Sequence, residues 1–401
     1  MATFPVRLGA AEHTLIEQLK AAGADQAAER IETAGLPTRR VEAYHYTDLK
    51  TLLRAVPDLA AAANDAVTPS VAIEGAYVIS IVNGAVKAST DAPAGIMIGT
   101  ARGGVLSTRD DVVTHINNGL TKTALSLDIA AGDEQVIQID HTIVGEAAHV
   151  SDAVKVFVAD GAKVTIVETF AGSDAAHLGN HAVYIALGEG AEVVHVSIDR
   201  SPAQSSHFAT NEYHLAAGAQ LRTLVVHGGA NLARTQVLPR LEGAEAHADV
   251  TGLNLVADGQ HADITMITEH AVAHTTSQPL FKSIARGRSK SVIQGKLIVA
   301  RDAQKTDAKF MHQGLMLSDE AEILSKPELE IYADDVVCGH GSTCGKLDED
   351  SLFYLLSRGI PKAEAETMMV RGFIAELVDP IENEAVAGVL NDVIDTWLLG
   401  K

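Results

Sequence analysis

Apolar and polar residues alternate in three different ways along the chain, and these patterns divide it into three regions. In residues 1–74, apolar residues recur at three- and four-residue spacing from Leu15 to Ile31, and Gly35 and Pro37 then interrupt the pattern. This spacing places the apolar residues on one face of an α-helix, and glycine and proline commonly end helices. The pattern therefore predicts an N-terminal helical region.

Residues 75–347 are typical of β-structure. Short runs rich in Val, Ile and Thr follow one another, such as "AYVISIV", "KVTIVETF", "HAVYIAL" and "EVVHVSI", and clusters of small residues separate them. Asn83 and Gly84 follow one such run, and this dipeptide is typical of a two-residue hairpin turn. The sequence therefore predicts a core of many short strands.

A weak repeat runs through this core and indicates how its strands are arranged. Gly-Ala pairs begin at nearly regular intervals, at Gly161, Gly190, Gly218 and Gly243. A shorter echo, about half as long, relates "HADV" at His247 to "HADI" at His261. We interpret the spacing of this echo as one turn of a solenoid, with roughly 14 residues per turn. Each turn would hold two short strands and two bends. A β-sandwich is the alternative, because the repeat is imprecise.

The last region, residues 348–401, returns to helical spacing. Asp348 is placed to cap a first helix, and Gly359 is placed to end it. A later stretch from Val386 to Trp397 carries apolar residues at the i, i+3, i+4 and i+7 positions of an amphipathic helix. The sequence therefore predicts a C-terminal helical region.

The middle of this C-terminal region carries more apolar residues than one packing face requires. Met368, Met369 and Phe373 lie close together, and Leu352 and Phe353 precede them in the first helix. Packing against the rest of the chain is one explanation. The other is a surface for a partner protein, because Met side chains adapt to different contacts.

Composition and charge narrow the class of protein. The 401 residues are 47% apolar and 21% charged, which is typical of a folded chain. The 31 basic and 52 acidic residues give a formal net charge of −21, which disfavours binding to nucleic acid or anionic lipid. The sequence has no apolar run of about 18 residues and no signal-peptide pattern at its start. We therefore expect a cytoplasmic protein with no membrane span, whose two cysteines stay reduced.

Both cysteines lie beside a histidine in "DDVVCGHGSTCGK". We expect a strand from Leu329 to Val337 to deliver Cys338, and His340 to point to the same side if the chain stays extended. Thiolate and imidazole are ligands for iron, zinc or an iron–sulfur cluster. With Cys344 there are only three such ligands, which is too few for a closed site. Either these residues have no metal role, or a second chain completes the site.

Besides a metal site that a second chain completes, two functions are compatible with a β-solenoid. A polysaccharide-active enzyme would use paired carboxylates and aromatic platforms, but aromatic residues are only 4% of this chain and Trp397 is its single Trp. A stand-alone zinc-binding protein is the other alternative. The sequence has no G-x-x-x-x-G-K-[ST] motif, so we do not expect ATP hydrolysis by a P-loop.

Two segments resemble a known family. "LEIYADDVVCGHGSTCGKLDEDSLFYLLSRGI", followed by "AEAETMMVRGF", is similar to the C-terminal signature of the SufB/SufD family of iron–sulfur cluster assembly scaffolds, and "GLPTRRVEAYHYTDL" is similar to its N-terminal signature. Glycine follows His340, as in the SufD branch, where SufB carries a glutamate. Cys344 departs from the family, because this position is often aliphatic, and "MHQGLMLS" replaces a more Asn-rich stretch.

The resemblance implies a fold and an assembly. It implies a mainly β chain, with a right-handed parallel β-helix core flanked by N-terminal and C-terminal helical regions. It also implies a non-catalytic SufD-like scaffold subunit that pairs with a SufB-like paralogue, while a SufC-like ATPase supplies ATP hydrolysis. A homodimer is the alternative assembly for the isolated chain.

The resemblance also assigns roles to residues. It implies that Cys338 and His340 contact iron or a transient iron–sulfur cluster at the interface with the paralogue, with Cys344 as a weaker candidate. We expect no cofactor to be bound tightly by the isolated chain. The ATPase is expected to dock on the C-terminal helices through Leu352, Phe353, Met368, Met369 and Phe373.

Overall fold

A computed structural model of the chain describes residues 7–61, 63, 70–88, 92–104 and 110–400. The first residues of the chain, which contribute to the expectation of no signal peptide, lie outside this part. Within the described ranges, every helix is too short or too polar to cross a membrane.

Helices lie at both ends of the chain and once inside the β-region. They are α1 Ala10–Ala21, α2 Asp25–Ala34, α3 Leu49–Leu52, α4 Val112–Leu120, α5 Glu349–Ser357, α6 Lys362–Val378 and α7 Glu384–Leu398, with a 3₁₀ turn at Glu42–Tyr44. The predicted N-terminal and C-terminal helices are therefore confirmed. Gly35 ends α2 with a φ of 71°, and the side chain of Asp348 accepts a hydrogen bond from the Ser351 amide at the start of α5.

In the described residues, twenty strands lie between these helical ends. They are β1 Tyr77–Val82, β2 Ala85–Ala88, β3 Ile96–Arg102, β4 Thr123–Ile129, β5 Gln135–Ile143, β6 His149–Val158, β7 Lys163–Gly172, β8 Leu178–Leu187, β9 Glu192–Asp199, β10 Ser206–Leu215, β11 Gln220–His227, β12 Leu232–Leu241, β13 His247–Val256, β14 His261–His270, β15 Thr276–Ser277, β16 Leu280–Ala285, β17 Lys290–Val299, β18 Asp307–Met316, β19 Glu322–Ile331 and β20 Val337–Gly345. Asn83 and Gly84 join the antiparallel pair β1 and β2 with positive φ angles, so the predicted hairpin is confirmed.

From β4 onward, consecutive strands alternate between two sheets, except that the short β15 and the following β16 both lie in the first sheet. The first sheet contains β5, β7, β9, β11, β13, β16, β18 and β20, and the second contains β4, β6, β8, β10, β12, β14, β17 and β19. Neighbours within each of these series pair in parallel, which gives a parallel β-solenoid of about eight turns. The predicted β-helix is therefore confirmed, and the β-sandwich is wrong because its strands would pair mainly antiparallel.

The predicted length of a turn was wrong. His149 pairs with Leu178, and Leu178 pairs with Ser206, so each of these intervals is one turn and is about twice as long as predicted. The short echo relates His247 on β13 to His261 on β14, which belong to opposite sheets. The echo therefore spans one strand and one bend, which is half a turn.

A left-handed residue recurs at the same bend of six successive turns and explains the glycines of the repeat. The positive φ angles there are 66° at Gly161, 64° at Gly190, 68° at Gly218, 61° at Glu245, 62° at His274 and 64° at Lys305. Glycine adopts this backbone conformation without the steric cost that other residues bear. The fourth Gly-Ala pair does not coincide with the left-handed position of its bend, because Glu245 occupies that position instead of Gly243.

The helical ends cover the outer faces of the two sheets. Leu15 and Ile31 of the N-terminal helices join a core cluster with Leu178 and Phe208 of the second sheet. The apolar stripe of α7 and part of α6 pack against the first sheet, in a cluster that includes Leu224. The apolar stripe of α7 therefore packs against the rest of the chain. The boundaries at residues 74 and 347 stay predictions.

Helix α4 was not predicted, because the region around it otherwise reads as β-structure. The carboxylate of Asp111 accepts hydrogen bonds from the amides of Val113 and Thr114 and so caps the helix. Gly119 allows close packing, since a Cβ there would lie 2.7 Å from Leu19 of α1. The helix therefore extends the N-terminal layer over the second sheet.

Candidate functional site

The predicted ligands Cys338, His340 and Cys344 all lie on β20. The expected strand from Leu329 to Val337 was wrong, because β19 ends at Ile331 and a connection leads to β20. β20 pairs in parallel with β18, which places Cys338 beside Ala308 and His340 beside Phe310. The ligands therefore lie inside the last strand of the solenoid and not at the end of the strand before it.

The three side chains face the interior side of the last turn. Paired residues of adjacent strands point to the same face of a sheet, and alternate residues share a face. Ala308 and Phe310 are in the apolar core, so Cys338 and His340 face in the same direction. Cys338 is half-buried and packs against this core, whereas His340 is exposed. His340 thus occupies an interior position that no further turn covers in the part of the chain that the structure describes.

The ligands do not converge on one point. Cys344 lies six residues beyond Cys338 on an extended strand, a separation of about 20 Å at roughly 3.3 Å per residue. Among the described residues, Cys338, His340 and Cys344 do not form a group whose ligand atoms all lie within 4.8 Å of one another. Cys338 and His340 are neighbours on one face, so they can contact one ion or cluster only together with ligands from elsewhere.

Neither thiol is activated in this chain. Burial raises the pKa of the Cys338 thiol, a hydrogen bond with the Ala308 backbone lowers it, and the carboxylate of Asp307 raises it further, so that the net shift is upward. Burial also raises the pKa of the Cys344 thiol. Both thiols are therefore protonated at neutral pH, and an approaching metal ion or cationic group is needed to favour the thiolate.

The outer edge of β20 is open and unprotected. Among the described residues, no strand pairs with the outer edge of β19 or of β20. β19 carries Lys326 and Pro327, which disfavour pairing with another chain, but the sequence of β20, "VCGHGSTCG", has neither charge nor proline. Its glycines leave room for a second backbone or a cluster to approach closely.

The predicted docking residues divide into two groups. Phe353 and Met368 are 72% and 47% exposed. Leu352 and Met369 are half-buried, and so is Phe373, whose ring lies 4.6 Å from the ammonium group of Lys282. Met369 and Phe373 are therefore less exposed than Phe353 and Met368, and Phe373 packs α6 against the first sheet.

Helix α5 stands apart from the core. It has no buried residue within its described range, and Tyr354 and Leu356 add exposures of 56% and 40% to that of Phe353. Helix α5 contacts α6, which carries the exposed Met368. We call these four exposed apolar side chains, Phe353, Tyr354, Leu356 and Met368, the α5–α6 patch. Monomeric proteins rarely expose adjoining large apolar side chains unless another surface covers them.

The fold and the end strand define a class of protein, a β-solenoid with two cysteines and a histidine on its last described strand and an apolar patch on its C-terminal helices. The outer edge of that strand is unpaired in the described residues. The family "SUF system FeS cluster assembly, SufBD core domain" matches residues 141–373, which is more than half of the chain. The chain belongs to the SufBD family of iron–sulfur cluster assembly proteins.

Individual relatives agree with this assignment. The chain is 27% identical over 382 residues to the iron–sulfur cluster assembly protein SufD of Escherichia coli, covering 90% of this chain and 89% of that protein. It is 30% identical over 250 residues to a SufBD family protein of Synechocystis, covering 60% and 55% of the two chains. Within the family the chain is SufD-like, which supports an assembly function over a polysaccharide-active enzyme or a stand-alone zinc protein.

Proposed function

We propose that the chain is a non-catalytic scaffold subunit, in which Cys338 and His340 contribute to an iron or cluster site that a SufB-like paralogue completes. One observation carries this proposal. His340 faces the interior side of a turn, yet it is exposed on a strand with an open outer edge. A second solenoid that adds a strand to this edge covers His340 and brings its own ligands to the same place.

The end of the solenoid supports this pairing in a second way. Ile331, Tyr332 and Val337, around the connection between β19 and β20, are 38%, 61% and 59% exposed. Large apolar side chains next to an unprotected strand edge are typical of a surface that a partner covers. Association then buries them together with the backbone groups of β20.

The ATPase is proposed to dock on the α5–α6 patch. The C-terminal helices pack on the solenoid through α6 and α7, whereas α5 buries none of its residues. Helix α5 can therefore move with a partner without disturbing the core. The sequence has no phosphate-binding P-loop of its own. Contact with an ATPase through this patch therefore couples the scaffold to nucleotide turnover.

The pairing is tested by mixing the purified chain with a SufB-like paralogue and measuring the size of the complex. Tyr332→Glu combined with Val337→Lys is expected to prevent the complex, because both charges would be buried at the interface. Met97→Lys is the matched control, since Met97 is 69% exposed on β3, away from β19 and β20. Undiminished binding by a folded Tyr332→Glu/Val337→Lys variant would contradict the proposed interface.

A further inference from the structure

A second cluster of ligand-type side chains lies inside the solenoid, away from β20. His141 on β5, Asp152 on β6 and His181 on β8 are 2%, 4% and 3% exposed. One ligand atom from each lies within 4.8 Å of those of the other two. The cluster therefore joins both sheets across the interior, and all of its members come from one chain.

The separations of these atoms fit a shared ion. Oδ1 of Asp152 lies 2.9 Å from Nδ1 of His181 and 3.3 Å from Nδ1 of His141. Ligands bound at about 2.0–2.2 Å to one transition-metal ion are roughly 3.0–3.4 Å from each other. A small movement toward a common centre converts these contacts into coordination.

Neighbouring residues hold His141 in the orientation that coordination requires. Its Nε2 lies 2.9 Å from Oε1 of Glu168, and Oε2 of the same carboxylate lies 2.9 Å from Nε2 of His195. A histidine that binds a metal through one nitrogen usually donates the other N–H to a carboxylate or carbonyl in this way. Glu168 thus directs Nδ1 of His141 toward Asp152.

The charges of the cluster need compensation. Asp152 and Glu168 are both buried, and among the described residues their ion-pair partners are histidines, with no lysine or arginine. One divalent cation between Asp152 and the two histidines would balance both carboxylates. Protons shared among the imidazoles are the other way to balance them.

Space for a further ligand lies beside the cluster. A cavity of about 10 Å³ is lined by both histidines together with Phe170, His177 and Gly179. Such a volume is close to that needed by one water molecule. Glycine at position 179 leaves room for the His181 ring, since a Cβ there would lie 2.4 Å from Nε2 of His181. Three protein ligands and an open position are typical of reactive or exchangeable metal sites.

We propose that His141, Asp152 and His181 bind a divalent first-row transition-metal ion inside the solenoid, with water in the open position. Two imidazoles and one carboxylate suit Fe(II) and also Zn(II). The site needs no partner chain and does not depend on the function proposed for Cys338 and His340. The sequence leads us to expect no tightly bound cofactor in the isolated chain. With this site, the isolated chain carries one metal ion in its interior.

The test is an anaerobic titration of the chelator-treated full chain with Co²⁺, whose visible absorption reports the ligands. Wild type and the Cys338→Ala/His340→Ala variant should each bind one ion per chain. Asp152→Asn and His181→Gln should bind at least ~10-fold more weakly. His270→Gln is the control, because His270 is equally buried but its ring nitrogens lie 2.8 and 2.9 Å from the hydroxyls of Thr275 and Ser277. It should bind as wild type does.

Two results of the titration would overturn the site. One is wild-type protein that binds no Co²⁺, which leaves a proton network only. The other is undiminished binding by a folded Asp152→Asn variant. If circular dichroism shows that the variants do not fold, X-ray absorption of the wild-type Co²⁺ complex identifies the atoms that surround the ion. Nitrogen and oxygen neighbours alone support the site, whereas sulfur neighbours place the ion at Cys338 or Cys344 and overturn it.

Discussion

His340 and Phe310 are paired residues on adjacent strands and face the same side of their sheet, yet Phe310 is only 2% exposed and His340 is exposed. The difference follows from position in the stack. Within the described ranges, the turn that contains β18 is followed by another, whereas the turn that contains β20 is not. A histidine at a core position is therefore accessible at the end of the solenoid, beside a half-buried thiol. A partner surface that continues the stack would enclose both side chains.

The first prediction concerns this pair. His340→Ala should change the free energy of unfolding by less than about 0.5 kcal/mol, as exposed positions generally do, and Cys338→Ala should cost about 1 kcal/mol because its side chain is half-buried. Both should impair iron–sulfur cluster assembly when they replace the wild-type chain in cells. Urea unfolding and the activity of a cluster-dependent enzyme measure the two effects.

Ser342→Ala is the control for these substitutions, because Ser342 is exposed at the next position on the same face of β20. It should leave cluster assembly unchanged. Normal assembly in the Cys338→Ala/His340→Ala double variant would exclude a role for the pair.

The second prediction concerns the α5–α6 patch. Phe353→Glu combined with Met368→Glu should abolish copurification of the ATPase while the melting temperature stays within a few degrees of wild type, since both side chains are exposed. Phe373→Ala should instead lower stability by about 2 kcal/mol or more, because it removes a ring that packs in the cluster of α6, α7 and the first sheet. Met97→Glu serves as the exposed control on a distant strand. Full ATPase binding by the Phe353→Glu/Met368→Glu variant would place the docking surface elsewhere.

The third prediction concerns thiol reactivity. The raised pKa of Cys338 leaves less thiolate at pH 7 than an ordinary cysteine has, so its alkylation by iodoacetamide should be slow there and accelerate as the pH rises toward that pKa. Asp307→Asn should increase the rate at neutral pH, because it removes a charge that raises the pKa. Rates are measured in a Cys344→Ser background. A Cys338 that reacts faster than free cysteine at pH 7 would show that the thiol is activated after all.

The fourth prediction concerns the bends of the solenoid. His274 is exposed and has a φ of 62° at the position that Gly218 occupies in another turn. His274→Gly should therefore stabilise the chain by up to about 1 kcal/mol, and Gly218→Ala should destabilise it by a similar amount. The midpoint of urea unfolding measures both changes. Equal stability in the two variants would mean that the left-handed bend carries no strain.

Local signals in the sequence predicted local structure well. Asn83 and Gly84 specify their turn through their own backbone preferences, and Asp348 caps α5 with its own side chain, so neither needs information from distant parts of the chain. Helix α4 was missed because its apolar residues pack against α1 and α2, which are far away in the sequence. Such contacts are visible only after the chain has folded.

The interior cluster was missed for a related reason. Asp152 and His181 are one turn apart in the sequence, and the structure pairs them on neighbouring strands. Because the short echo was interpreted as a full turn, residues one true turn apart did not stand out. His141 comes from the opposite sheet and reaches the same place across the interior. With the correct turn length, a search for ligand residues separated by one turn finds the Asp152–His181 pair from the sequence.

The most direct measurement is the acid-labile sulfide content of the purified complex with a SufB-like paralogue after anaerobic reconstitution with iron and sulfide. Sulfide reports a cluster and is unaffected by a metal ion at the interior site. We expect the wild-type complex to retain a cluster, and the Cys338→Ala/His340→Ala complex, of unchanged size, to retain little or none. Equal sulfide in the two complexes would contradict a cluster site shared through Cys338 and His340.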